Sequence, residues 1–238
     1  MVTPPVKVKI SKIIQATPDI KVFQLVPVEP VDFVFKPGQF LNLYLNKEGE
    51  PPNARPYSIC SSPLNKEYIE LTIKIRQNFT QKVNQLKEGD VVRISGPFGT
   101  FVYDEHTMTH VVIMAGGCGI APYISMIRYV NDKKIDNKIT VFYSSRTCDD
   151  FVHREELDRI QEENKNIKII YTCTREPEDS PWKGERGRVN ENMLRRHLGS
   201  PDEKHYFLCG PAEMVESGVK MLKNIGAKDD RIVAEKWG

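Results

Sequence analysis

His110-Val111-Val112-Ile113-Met114-Ala115-Gly116-Gly117-Cys118-Gly119-Ile120-Ala121-Pro122 decides how this chain is read. The apolar run 111–115 has no polar alternation, which is the pattern of a strand buried on both faces. Three glycines in four residues then break the strand. Pro122 follows, suited to a first helical turn because its missing N–H costs nothing there. Strand, glycine turn and helix in this order form one unit of a parallel α/β sheet. Glycines at such a turn let backbone amides approach a phosphate, and a helix N-terminus adds partial positive charge. The run departs from G-x-G-x-x-G, because Pro122 stands at the last glycine position. By itself it also fits a tight turn in any α/β domain.

The pattern continues downstream. Short apolar strands are expected at 110–114, 139–143, 167–171 and 205–209, with helical spacing at about 120–133, 150–164 and 211–225. That alternation predicts a parallel sheet covered on both faces. Upstream the period changes to two. Val6-Lys7-Val8-Lys9-Ile10, Val22-Phe23-Gln24-Leu25, Phe40-Leu41-Asn42-Leu43-Tyr44-Leu45 and Ile69-Glu70-Leu71-Thr72-Ile73-Lys74-Ile75 alternate apolar and polar residues. Turn signals at 17–19, 37–38, 50–53 and 88–90 separate them. Short strands so punctuated suggest a closed or sandwiched antiparallel sheet, with one short helix after Thr80. The join falls near 103–108, giving an antiparallel domain over 1–104 and an α/β domain over 109–238.

The chain has 238 residues, is 28% charged and carries a net charge of +2, with both halves near balance. No strong basic field is available for non-specific nucleic-acid binding. The longest apolar run is far short of the ~20 residues of a spanning helix. Met1-Val2-Thr3-Pro4-Pro5 lacks a charged segment followed by an apolar one, so no secretory leader is expected. The five cysteines at 60, 118, 148, 173 and 209 are odd in number and widely spaced. They predict reduced thiols and a cytoplasmic location, and none has the spacing of zinc or iron–sulfur ligands.

Two further segments carry chemistry. In Arg55-Pro56-Tyr57-Ser58, Tyr57 offers a flat face for a planar ligand. Arg55 suits a diphosphate or carbonyl, and Ser58 a ring nitrogen. The same residues also fit a strand entry with a polar turn. Cys209-Gly210-Pro211-Ala212-Glu213-Met214 lies at the carboxyl end of an expected strand, the edge where open α/β sheets bind ligands. A cysteine there is more often a small buried residue than a reactive one.

These segments, in this order, resemble the ferredoxin–NADP reductase family over nearly the whole chain. Phe35-Lys36-Pro37-Gly38-Gln39-Phe40 looks like the barrel strand before the flavin motif, and Arg55-Pro56-Tyr57-Ser58 like the R-x-Y-S flavin motif. Gly96-Pro97-Phe98-Gly99-Thr100-Phe101 looks like the turn closing the flavin barrel. Gly116, Gly117, Cys118, Gly119 and Pro122 resemble the dinucleotide loop, and Cys209, Gly210 and Pro211 the C-G-P turn beside the nicotinamide. Val233-Ala234-Glu235-Lys236-Trp237-Gly238 resembles a family C-terminus in which the aromatic covers the flavin. A terminal Trp anchoring the last strand is the alternative. Two departures stand out. The flavin-phosphate segment, where Ile73, Lys74 and Thr80 fall, has no glycine between Lys74 and Thr80, and Cys118 replaces a common Thr.

The resemblance implies a β-barrel flavin domain followed by a Rossmann-like parallel-sheet nucleotide domain. It implies FAD and an NAD(P)H co-substrate, with a hydride passing to flavin N5. Tyr57 and Trp237 would bracket the flavin, Ser58 would sit near N5, and Cys209 and Glu235 would lie near the nicotinamide. Arg146, Arg175 and Arg188 lie where NADP-preferring members carry theirs, which points to NADPH, although Asp149 and Asp150 follow close enough to take a ribose instead. With no iron–sulfur cysteine set, electrons would leave for a separate carrier such as ferredoxin, flavodoxin or an oxygenase component. A free-flavin reductase and an electron-transfer subunit of a larger complex are the competing readings.

Overall fold

The computed structural model describes residues 5–46, 50 and 53–236. The chain divides into two compact units. One comprises 1–103 with 121–133, and the other 104–120 with 134–238.

The first unit is a six-stranded antiparallel sheet: β1 (Val6–Thr17), β2 (Ile20–Pro27), β3 (Phe40–Tyr44), β4 (Ala54–Ser58), β5 (Ile69–Lys74) and β6 (Val91–Phe98), in the order β4-β3-β6-β1-β2-β5. The expected alternation holds at the start of β1, where Val8 and Ile10 are buried between exposed Lys7 and Lys9. β1 runs on past the expected residue 10. Register shifts after Ile10 and Gln15 bend it, so that it pairs with β6 at one end and β2 along the rest. The sheet curls but does not close completely. Its edge strands meet at one bridge, Ile59 with Leu71, and at Cys60 N–H to Glu70 C=O (2.8 Å). The expected closed barrel is therefore barrel-like: five ladders form and the sixth does not. Val8, Ile10, Leu25, Leu41, Ile59 and Leu71 fill its interior.

α1 (Phe79–Asn84) buries Phe79 and Val83 in that interior. α2 (Ala121–Lys133) also belongs to this unit. Ser125 Oγ donates to the Ser61 carbonyl at 2.8 Å, and Arg128 donates to the Cys60 carbonyl at 3.0 Å and to Glu70 Oε1 at 2.6 Å. Glu70 Oε2 accepts from Gln24, so both oxygens of this 3%-exposed carboxylate are satisfied. A buried pair so completed is costly to break from one side.

The second unit is a parallel sheet of β7 (His110–Gly116), β8 (Lys138–Ser145), β9 (Ile167–Cys173), β10 (Glu185–Arg186), β11 (His205–Gly210) and β12 (Ile232–Lys236). The order is β10-β9-β8-β7-β11-β12. The chain adds strands outward from β7 on one side, then returns to the other side at β11, so the switch point lies between β7 and β11. α3 (Arg154–Glu163) and α5 (Ala212–Asn224) match the expected helical stretches. α4 (Glu191–Leu198) escaped the sequence reading. It is two turns long and is set by Asn190, whose side chain accepts from Met193 N–H, with Arg195, Arg196 and His197 in its last turn. All five cysteines are free thiols. Among the described residues, no helix is long and apolar enough to cross a membrane.

Candidate flavin and dinucleotide site

In the first unit, β4 is an edge strand that carries Arg55-Pro56-Tyr57-Ser58. Arg55 and Pro56 are exposed, while Tyr57 and Ser58 are half-buried. Phe79, at the start of α1, ties the motif to the next segment. Its ring centroid lies 6.3 Å from that of Tyr57, and the Arg55 guanidinium sits 5.7 Å above it. Burial pushes the Tyr57 phenol up to about 12, against the opposing charge of Arg55, so the ring stays neutral. A flat, half-buried, uncharged face with a guanidinium beside it fits an isoalloxazine ring. The Ser58 hydroxyl has no partner among the described residues.

Lys74 and Thr80 are less open. Lys74 Nζ is paired with Asp19 at 2.7 Å. Thr80 Oγ1 accepts from Arg76 N–H at 2.8 Å and donates to the Gln77 carbonyl. The hydroxyl therefore holds its own turn together. The Ile73 side chain is 1% exposed and faces the core, so only its backbone is available.

In the second unit, Gly116 closes β7 and Gly117 begins a 3-10 turn that ends at Ile120 and leads into α2, with Pro122 as the helix's second residue. Gly117 has φ +52° and open space where a Cβ would point, so the turn needs glycine for its conformation and leaves room above itself. Cys118 is half-buried and Gly119 buried. The Tyr143 hydroxyl donates to the Gly117 carbonyl (3.1 Å) and accepts from Val152 N–H (3.0 Å). This buried tyrosine fixes the loop. Sequence spacing offered no sign of it, because the contact spans 26 residues.

Cys209, buried in β11, pairs with Ala115 on one side and with Glu235 of β12 on the other. Gly210 therefore ends beside Gly116 at the switch point. Partial desolvation raises the Glu235 carboxyl above its ordinary value. Pro211 opens α5 and lines a cavity of about 300 Å³ together with Ser144, Thr174, Arg188, Met214 and Met221. Trp237 lies outside the described residues.

The three arginines separate. Arg188 reaches Glu213 at 3.5 Å on an exposed surface. Arg146 and Arg175 are held side by side by Arg175 N–H to the Arg146 carbonyl (2.7 Å), at the carboxyl ends of β8 and β9. Both guanidinium groups are exposed and make no ion pair or hydrogen bond among the described residues. Asp150 is already committed, accepting from both Thr147 N–H and Thr147 Oγ1 in a capping box. Both bonds fall on Oδ2, and Asp149 beside it is exposed, with the Cys148 thiol 3.5 Å from its Oδ1.

Two family models cover most of the chain. An oxidoreductase FAD-binding domain matches residues 7–103, and an oxidoreductase NAD-binding domain matches residues 113–220. The glycine betaine monooxygenase reductase subunit of Pseudomonas aeruginosa is 32% identical over 237 residues, covering 97% of this chain and 64% of that protein. Sulfhydrogenase 1 subunit gamma of Pyrococcus furiosus is 33% identical over 233 residues, covering 95% of this chain and 77% of that one. The chain thus spans somewhat under two thirds of the first relative's length. Among solved structures, the FAD/NAD-binding domain of the nitric oxide dioxygenase of Vibrio cholerae superposes with a TM-score of 0.86 at 20% identity, covering 98% of each chain.

Proposed function

This chain belongs to the ferredoxin–NADP reductase family of FAD- and NAD-binding oxidoreductases, and on that premise we propose that it takes a hydride from NADPH onto flavin N5 and passes the electrons to a separate acceptor. The acceptor class is a ferredoxin, a flavodoxin or an oxygenase component. Bound FAD would supply the conversion of the two electrons of one hydride into electrons delivered singly. The protein's own residues bind and orient. Tyr57 offers the ring face, Arg55 a positive charge beside it, and Ser58 a free hydroxyl at its edge. Gly116, Gly117, Cys118 and Gly119 present backbone to the dinucleotide diphosphate, while Cys209, Gly210 and Pro211 border the nicotinamide with Glu235 nearby.

The observation that carries this reading is the pair of glycine strand ends, Gly116 and Gly210, side by side at the switch point of an NAD-binding sheet. The preference for NADPH is supported by the exposed, unpartnered Arg146–Arg175 pair.

The test is a visible spectrum of the desalted protein, followed by anaerobic NADPH and then NADH. Flavin bands that bleach faster with NADPH are expected. A second reading has its own support. With Lys74 held by Asp19 and Thr80 holding its own turn, the flavin phosphates meet few free groups. A colourless protein that oxidises coenzyme only when free flavin is added would move the assignment to a flavin reductase.

A further inference from the structure

Gly116 and Gly210 have no side chains, yet the space above them is filled. A Cβ on Gly116 would lie 2.9 Å from Met214 Sδ, and one on Gly210 would lie 2.3 Å from Met214 Cε. The thioether of Met214 therefore rests on the backbone of both strand ends at once. Its position is enforced from behind. Gly218, one turn further along α5, lets the helix approach β11 so closely that a Cβ there would be 2.5 Å from Leu208 Cδ2. Met214 is the third residue of that helix and points onto the sheet's carboxyl edge. It also lines the 300 Å³ cavity, with Met114 and Met221 beside it.

Glycines that end two adjacent parallel strands form a flat floor, suited to the close approach of a ring. Here the floor carries the chain's own side chain. Methionine is unbranched, has three rotatable bonds, and swings aside at little cost. We propose that Met214 is a displaceable plug on the Gly116–Gly210 floor, and that the nicotinamide end of the dinucleotide binds by taking its place. The inference rests on the nicotinamide reading above. Met214 acts as a positioning residue: it sets how deeply the ring enters, while the adenosine end binds independently of it.

Equilibrium titration of the oxidised protein separates these statements. The probes are NADP⁺ and 2′,5′-ADP, which lacks the nicotinamide, with NAD⁺ and ADP-ribose as a parallel pair. Met214→Ala is expected to tighten the dinucleotide about three- to ten-fold and to leave the adenosine fragment unchanged. Gly210→Ala, which puts a methyl on the floor, is expected to weaken the dinucleotide at least ten-fold and again spare the fragment. Wild-type binding of both probes with no change, or a loss, in Met214→Ala overturns the plug alone. Wild-type failure to bind any of the four probes overturns the nicotinamide reading and the plug with it.

Discussion

Replacing Arg146 and Arg175 with Ala, singly and together, tests the coenzyme assignment most directly. At about 4 Å in water, a unit charge pair is worth about 1 kcal/mol, and a 2′-phosphate carries roughly −1.5 to −2 charges. Both guanidinium groups are exposed, so the high-dielectric value applies. Screening at 0.15 M salt, with a Debye length of about 8 Å, brings each arginine to about 1 kcal/mol. Each single variant should therefore lose about five-fold in kcat/KM for NADPH. The double variant should lose about thirty-fold, with NADH unchanged. At 1 M salt the Debye length falls to about 3 Å, and the wild-type preference should shrink toward five-fold. Arg188, already facing Glu213, should matter less than either. The assay is steady-state reduction of an artificial acceptor with each coenzyme at both salt concentrations. Equal losses for NADPH and NADH, or a preference insensitive to salt, would remove the 2′-phosphate role of this pair.

Other perturbations address the flavin face and the framework. Tyr57→Ala should release flavin on desalting, read as the loss of absorbance per mole of protein; full retention would remove the stacking role. Arg128→Met leaves the Glu70 carboxylate buried without its cation and should cost about 3–5 kcal/mol in denaturant unfolding, whereas Arg128→Met with Glu70→Leu should recover most of it. A single-variant loss below about 1 kcal/mol would show that water reaches the pair. His110 is held down to about 4 by burial, with Lys204 and Lys138 adding to it. Its neutral form is the folded one, so stability is full above the unfolded value near 6.5 and drains as pH falls toward 4, by at most about 1.4 kcal/mol per pH unit. His110→Asn should flatten that limb of the Tm-against-pH curve, and an unchanged limb would assign the acid loss to other groups.

Local patterns carried most of the fold. Alternation in 6–10 and the unbroken run in 111–115 report faces and burial, because side-chain direction follows the period of the backbone. The glycine turn at 116–119 and the strand end at 209–211 were legible for the same reason. α4 was not, since two polar turns carry little periodic signal and depend on the Asn190 cap. The resemblance singled out Thr80 and Lys74, yet their side chains are bound to Arg76, Gln77 and Asp19, which no motif states.

The two architectures and their order along the chain were legible in the sequence. These are properties of neighbours within a turn or a strand. What lies against what came only with the folded chain: α2 held to the antiparallel sheet by Arg128 and Glu70, Tyr143 pinning the Gly117 loop, Arg146 joined to Arg175, and Met214 resting on Gly116 and Gly210. Each joins residues well separated in the chain, or side chains that only strand register brings together. Such contacts are chosen by the packing of the whole sheet, and no short window of sequence contains that information.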